Sequence, residues 1–166
     1  MQVLFIIMMV LFSGSIQSSN YKFYIADGPS MAPTILAQDR ITVDPTYYKE
    51  HKIERGDIII FTTSVNESKY IKRVVGLAGD KVKISDNKLY VNDVLQDETY
   101  IQEEVSNNSQ IGEKYNLDFP ETKVPQNSIF VLGDNRRDSV DSRIMGAISV
   151  DKVLGKVIKI RPSSVR

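Results

Sequence analysis

The chain has no cysteine, no tryptophan and a single histidine, His51. Without cysteine there is no disulfide framework, no thiolate metal site and no cysteine nucleophile. One histidine excludes a histidine-rich metal centre. It also leaves a Ser–His–Asp hydrolase to depend on His51, which sits in the charged stretch "HKIERGD" (51–57) with no orienting pattern around it. Excess charge of either sign is missing too: 21 Lys and Arg balance 21 Asp and Glu, so nothing favours nucleic acid as a partner. Internal repeats and low-complexity tracts are absent, and no residue cluster calls for a metal or other cofactor.

The 166 residues are 42% hydrophobic and 25% charged, a balance that suits one globular domain with a core of its own. One stretch stands apart. "VLFIIMMVLF" (Val3–Phe12) is unbroken apolar chain, extended by Gly14 and Ile16 before the polar "QSSNYK". It is short against the roughly 20 residues that span a bilayer core. A cleaved signal peptide lacks its charged n-region here, and a buried core segment is the third reading. The expectation is a short N-terminal transmembrane helix, residues 1–18, anchoring a β-domain over residues 19–166.

Helical periodicity is scarce beyond that run and the stretch "DPTYYKEHK" (44–52), and the pattern is mainly β. "DIIIF" (Asp57–Phe61) and "SIFVLG" (Ser128–Gly133) read as strands buried on both faces. "KYIKRVVG" (Lys69–Gly76) and "KVLGKVIKI" (Lys152–Ile160) read as further strands. Val82/Ile84 and Leu89/Val91 alternate around Asp86–Asn87, which predicts a hairpin over Asp80–Asn92. The polar span around 93–127, with two prolines, reads as a surface excursion or small insert.

Three stretches carry chemistry. In "DGPSMAPTI" (Asp27–Ile35), Pro29 and Pro33 restrict the backbone on both sides of Ser30, presenting its hydroxyl in one geometry. An ordinary turn is the plain alternative. Lys72 lies among valines and isoleucines on a strand, where burial disfavours its charge and lets it accept a proton from a serine hydroxyl. Lowering a lysine from about 10.4 to about 8 costs roughly 3 kcal/mol, which a domain of this size can carry. A lysine snorkelling to water is the alternative here. "GDNRRDSVDSR" (Gly133–Arg143) packs both charge signs and short hydrogen-bonding side chains into one loop. That suits a polar network in which Asp134 and Asp141 orient arginines better than it suits a merely solvated loop.

"PSMAPT", "RGDIIIF" (Arg55–Phe61), "YIKRVVGLAGD" (Tyr70–Asp80) and "GDNRRDSVDSR" resemble, in order, the four characteristic boxes of type I signal peptidases. The resemblance covers about Tyr24–Arg143, with the N-terminal apolar run in the family's anchor position. It implies a single compact β-domain of the signal-peptidase type, in a minimal form without the large second β-domain of bigger relatives. It implies a membrane-bound serine endopeptidase with a Ser–Lys dyad: Ser30 as nucleophile, Lys72 as general base. Ser139 would hydrogen-bond the lysine amine, and Asp134, Asp141 and Arg143 would buttress the site. Gly28 stands where some members carry a serine that completes the oxyanion hole, leaving the Ser30 backbone N–H as donor. The implied partners are signal-peptide-bearing preproteins, with small side chains at the first and third positions before the cut, and the lipid bilayer. The implied placement is the cell membrane, single-pass, with the catalytic domain on the trans, extracytoplasmic side. A noncatalytic β module that binds exported chains by strand addition is the alternative from another class.

Overall fold

In the computed structural model, which describes residues 20–63 and 68–164, the chain forms two antiparallel sheets. It enters through β1 (Lys22–Ile25) and β2 (Arg40–Asp44); one helical turn, α1 (Tyr47–Glu50), then leads to β3 (Ile58–Thr62) and β4 (Lys69–Gly76). A smaller sheet follows, made of β5 (Lys81–Ser85), β6 (Lys88–Val91), β7 (Val94–Leu95) and β8 (Phe119–Lys123). Between its last two strands lie a 3-10 turn, Thr99–Ile101, and the helix α2 (Gln102–Gln110). The chain returns through β9 (Ser128–Leu132), α3 (Ser142–Met145), β10 (Ile148–Ser149) and β11 (Val153–Arg161). Spatial order in the large sheet is β1-β2-β11-β3-β4-β9-β10, and in the small one β7-β6-β5-β8. The mainly β class follows the sequence pattern.

The runs that lack alternation do so because both their faces are covered. In β3, Ile60 joins a cluster with Met31, Ile35, Ile41 and Val43, while Ile59 and Phe61 point the other way, to Val74 and Val131. In β9, Ile129 and Val131 share that second cluster, and Phe130 and Leu132 meet Val82, Ile84, Leu89 and Val91 of the small sheet. β9 therefore ties the two sheets together. The hairpin β5–β6 forms as the alternation predicts, and Asp86 and Asn87 both take positive φ (49° and 63°), as a two-residue type I′ turn requires.

The span around 93–127 holds more order than its polarity suggests. Asn92 and Asp93 make a second turn with both φ positive, and β8 comes back to pair with β5. Ile101, Tyr115 and Val124 are buried there. No periodicity announces α2, "QEEVSNNSQ", because none of its residues is buried and no apolar stripe is needed. The expected N-terminal transmembrane helix lies outside the described residues. Among the described residues, no helix is long and apolar enough to cross a membrane.

β11 lies between β2 and β3, and its register against β3 shifts between Val153 and Gly155. Gly155 adopts φ +154°, and a Cβ there would overlap the Asp44 carbonyl oxygen and sit 2.8 Å from Val43 Cγ1. Gly155→Val is expected to cost about 3 kcal/mol through overpacking and backbone strain. Thermal unfolding should then show a midpoint lower by roughly 6–12 °C; an unchanged midpoint would show that β2 and β11 can move apart freely.

Candidate active site

The turn that follows β1 splits its residues between core and cleft. Met31 and Ile35 are buried in the cluster behind the large sheet, and the turn closes through Ala32 N–H to the Pro29 carbonyl and Ile35 N–H to the Met31 carbonyl, both 2.9 Å. Ser30 lines the cleft, as do Met31 and Ile35 from the core side. Asn135 N–H donates to the Ser30 carbonyl at 3.1 Å, so the loop 133–143 holds the backbone of Ser30 directly.

Lys72 reaches the same point from β4, where it lies opposite Ile59 in register. It is only 3% exposed, and its Nζ donates to Ser30 Oγ at 2.7 Å and to the Ile71 carbonyl at 3.0 Å. Burial pulls its pKa down from 10.5 to about 8, against the opposing pull of Asp141 and Asp134. Near that pH the roles in the contact exchange: a neutral amine accepts the hydrogen bond that Ser30 O–H donates.

Asp134 and Asp141, both fully buried, do orient arginines. The Asp134 carboxylate takes the fork of Arg73, with Nε at 2.9 Å and Nη2 at 2.7 Å, and also accepts from the Thr34 hydroxyl. One carboxylate thus joins the Ser30 turn, through Thr34, to the Lys72 strand, through Arg73. Tyr115 O–H donates to the Asp134 carbonyl at 2.9 Å. Asp141 takes the fork of Arg143 (Nε 2.9 Å, Nη2 2.8 Å), accepts from Gly133 N–H at 3.0 Å and caps α3 through the Arg143 N–H. Ser139 departs from expectation. Its Oγ is buried without a hydrogen-bond partner among the described residues, and Lys72 donates to Ser30 and Ile71 instead. Ser139 packs against Gly133, where a Cβ would overlap both Ser139 Oγ and the Ser30 carbonyl oxygen.

Gly28 lines the cleft beside Ser30 at φ +85°, with open space where a side chain would begin. His51 does not line the cleft; it is exposed and stacks on Tyr47 at 4.3 Å. Arg73, Thr34 and Asn135 carry no individual signal in the sequence, although each lies inside one of its three stretches or beside Lys72. The adjacency of Arg73 to Lys72 is the one usable clue, since neighbours on a strand face opposite sides.

The cleft, of about 390 Å³, runs between Tyr24–Met31 on one wall and Lys69–Lys72 on the other. Among the described residues, β9 pairs with β4 only at Arg73, Val74 and Gly76, so Lys69–Lys72 keep an open edge; β1, paired there only with β2, presents another. Two open edges with a serine and a buried lysine between them suit an extended peptide.

A sequence profile described as signal peptidase, peptidase S26 matches residues 1–160. The chain belongs to this family. It is 38% identical over 154 residues to signal peptidase I U of Bacillus subtilis (strain 168), covering 92% of this chain and 82% of that one. It is 35% identical over 142 residues to signal peptidase IB of Staphylococcus aureus (strain COL), covering 81% and 74%. The crystal structure of a signal peptidase I from Enterococcus faecalis V583 aligns with a TM-score of 0.59 at 36% identity, over 66% of this chain and 98% of that one. The type I signal peptidases are thus its relatives, and it is a serine endopeptidase, a hydrolase.

The pKa of Lys72 has a thermodynamic consequence with a definite sign. The folded state binds the lysine proton less tightly than the unfolded chain does, so below about pH 8 the buried ammonium costs the fold up to about 3 kcal/mol. That cost fades as pH rises from about 8 towards 10.5, and stability increases across the window. Lys72→Met is expected to be more stable than the parent at pH 7 and to lose this pH dependence. Urea titrations at pH 7 and pH 10 measure it, and equal pH dependence in both proteins would mean that Lys72 is not desolvated.

Proposed function

We propose that the protein removes signal peptides from exported preproteins, forming an acyl-enzyme on Ser30 with Lys72 as general base. The observation that carries this reading is the 2.7 Å contact between Lys72 Nζ and Ser30 Oγ inside a cleft with open strand edges. The neutral amine takes the hydroxyl proton as Oγ attacks the scissile carbonyl carbon. The oxyanion that develops meets the Ser30 backbone N–H, with Gly28 contributing no side-chain donor. The lysine ammonium then gives its proton to the departing amine, and the same nitrogen, neutral again, activates the water that hydrolyses the ester. Asp134, Asp141 and Arg143 hold this arrangement from outside the cleft, which none of them lines. The family resemblance further assigns small side chains to the first and third substrate positions before the cut.

Cleavage of a preprotein tests the dyad. Ser30→Ala and Lys72→Ala are each expected to abolish processing while far-ultraviolet circular dichroism stays unchanged. The rate in the parent protein should rise with pH through about 8, so that pH 7 gives roughly a tenth of the plateau. Full activity in Lys72→Ala, or a profile flat from about pH 5 to about pH 10, would refute lysine as the base. A preprotein with bulky residues at the two small positions should remain uncut.

The same reading puts the domain on the trans face of a membrane, with residues 1–18 as a retained anchor. Phe23 and Ile25, on the strand beside the cleft, are 76% and 63% exposed, a wet position for large apolar side chains. They would enter the lipid interface and keep Ser30 where substrates emerge. Replacing both with Ser is expected to reduce processing of membrane-embedded preprotein far more than cleavage of a short soluble peptide. An equal loss on both substrates would place these residues in peptide binding alone, and a mature chain starting near Ser18 would remove the anchor.

A further inference from the structure

Arg136 is the largest fully buried side chain among the described residues. A guanidinium keeps its proton at any working pH, so burying one is costly unless a carboxylate and further hydrogen bonds answer it. The answer comes from the region between β7 and α2. Glu98 pairs with Arg136 through Nη2, the Tyr100 hydroxyl accepts from the same nitrogen at 3.2 Å, and Tyr100 O–H donates to Glu98 at 2.9 Å. On its other side Arg136 Nε donates to the Gly133 carbonyl at 2.9 Å. Gly133 is the residue whose bare Cα lets the loop close on the Ser30 carbonyl and Ser139. Tyr100 also makes a second contact, because its ring face lies 3.9 Å from the guanidinium carbon of Arg73, whose fork holds Asp134. Neither Glu98 nor Tyr100 lines the substrate cleft.

We propose that the Glu98–Tyr100 segment, in the connection between β7 and α2, is a clamp on the active site, making Glu98 (through Arg136 and Gly133) and Tyr100 (through Arg73 and Asp134) positioning residues for the Ser30–Lys72 pair. The clamp rests on the Ser–Lys reading above. Its two arms hold the two segments that must meet: the loop 133–143, bonded to the Ser30 backbone through Asn135, and β4, which carries Lys72. It gives the connection between β7 and α2 a part in catalysis although neither of its two residues lines the cleft.

The test uses the full chain in detergent or vesicles, assayed on a preprotein above pH 8, with kcat, KM and thermal midpoint read for each variant. Glu98→Gln is expected to lower kcat about tenfold to a hundredfold, the range for reacting groups displaced by a fraction of an ångström to an ångström, with KM within about twofold of the parent. Tyr100→Leu should behave likewise, and Tyr100→Phe, which keeps the ring under Arg73, should lose less. Glu98→Gln combined with Arg136→Met removes the buried charge together with its partner, so the thermal midpoint should recover while kcat stays low, because Gly133 has lost its donor. That double variant also carries the test if Glu98→Gln alone fails to fold. Glu103→Gln, on the exposed face of α2, should change nothing. Parent kcat in Glu98→Gln, or kcat recovering along with the midpoint in the double variant, would reduce the pair to a stability device and overturn the clamp. Lys72→Ala separates the two failures: if it cleaves, the Ser–Lys reading falls, and if it is dead while Glu98→Gln is fully active, only the clamp does.

Discussion

A lysine held out of water against a serine hydroxyl is the constraint that the surrounding structure serves. Burial lowers the pKa of Lys72 to about 8, and two buried carboxylates, Asp141 and Asp134, work against that fall. Left unpaired, a nearby carboxylate would raise the lysine further, because an opposite charge favours the ammonium form. The forks of Arg143 and Arg73 prevent this by occupying both carboxylates. The arginines therefore do more than hold the loop in place. They neutralise the acids that would otherwise keep the base protonated.

The β architecture supplies what such an arrangement needs. Lys72 sits mid-strand, its neighbours Ile71 and Val74 fixed in two different apolar clusters, so the side chain cannot leave the cleft without disturbing a core. Ser30 is fixed by a different device, a turn whose next residue, Met31, is buried. Strand and turn are far apart in sequence, and their meeting depends on the large sheet curling until β1 and the open edge of β4 face each other. The cleft is the gap left in that curl.

Much of this is legible in the sequence, for reasons particular residues make plain. "DIIIF" and "SIFVL" declare central strands because each feeds two apolar clusters, and Asp86–Asn87 declares a turn because both can adopt positive φ. Ser30, Lys72 and the charged loop stand out by being wrong for ordinary strands and loops. What stays illegible lacks a periodic or compositional trace. β1 carries Phe23 and Ile25 exposed, so its pattern does not read as half-buried, and α2 buries nothing. The partner of a charge can also be hidden. The sequence supplies arginines beside aspartates, yet Asp134 pairs with Arg73, which is 61 positions away, rather than with a neighbour in its own loop. Ser139 shows the limit from the other direction: a motif places it at the site, yet its hydroxyl meets neither Lys72 nor any other hydrogen-bond partner among the described residues.

The loop 133–143 also shows how such a site stays in one conformation. It contains only the start of α3 as regular structure, yet it buries Asp134, Arg136 and Asp141, three formal charges that a loop would normally leave in water. Desolvating each costs several kcal/mol, so the loop is tolerated only in the geometry where every charge meets its counterion. Arg73 comes from β4, Glu98 from the connection between β7 and α2, and Arg143 from the loop itself. A displaced loop would strand at least one charge without its partner, which makes near-native alternatives costly even where they keep the apolar contacts. Hydrophobic burial decides that this chain folds, and the three ion pairs decide that the loop adopts the one arrangement in which Asn135 reaches the Ser30 carbonyl.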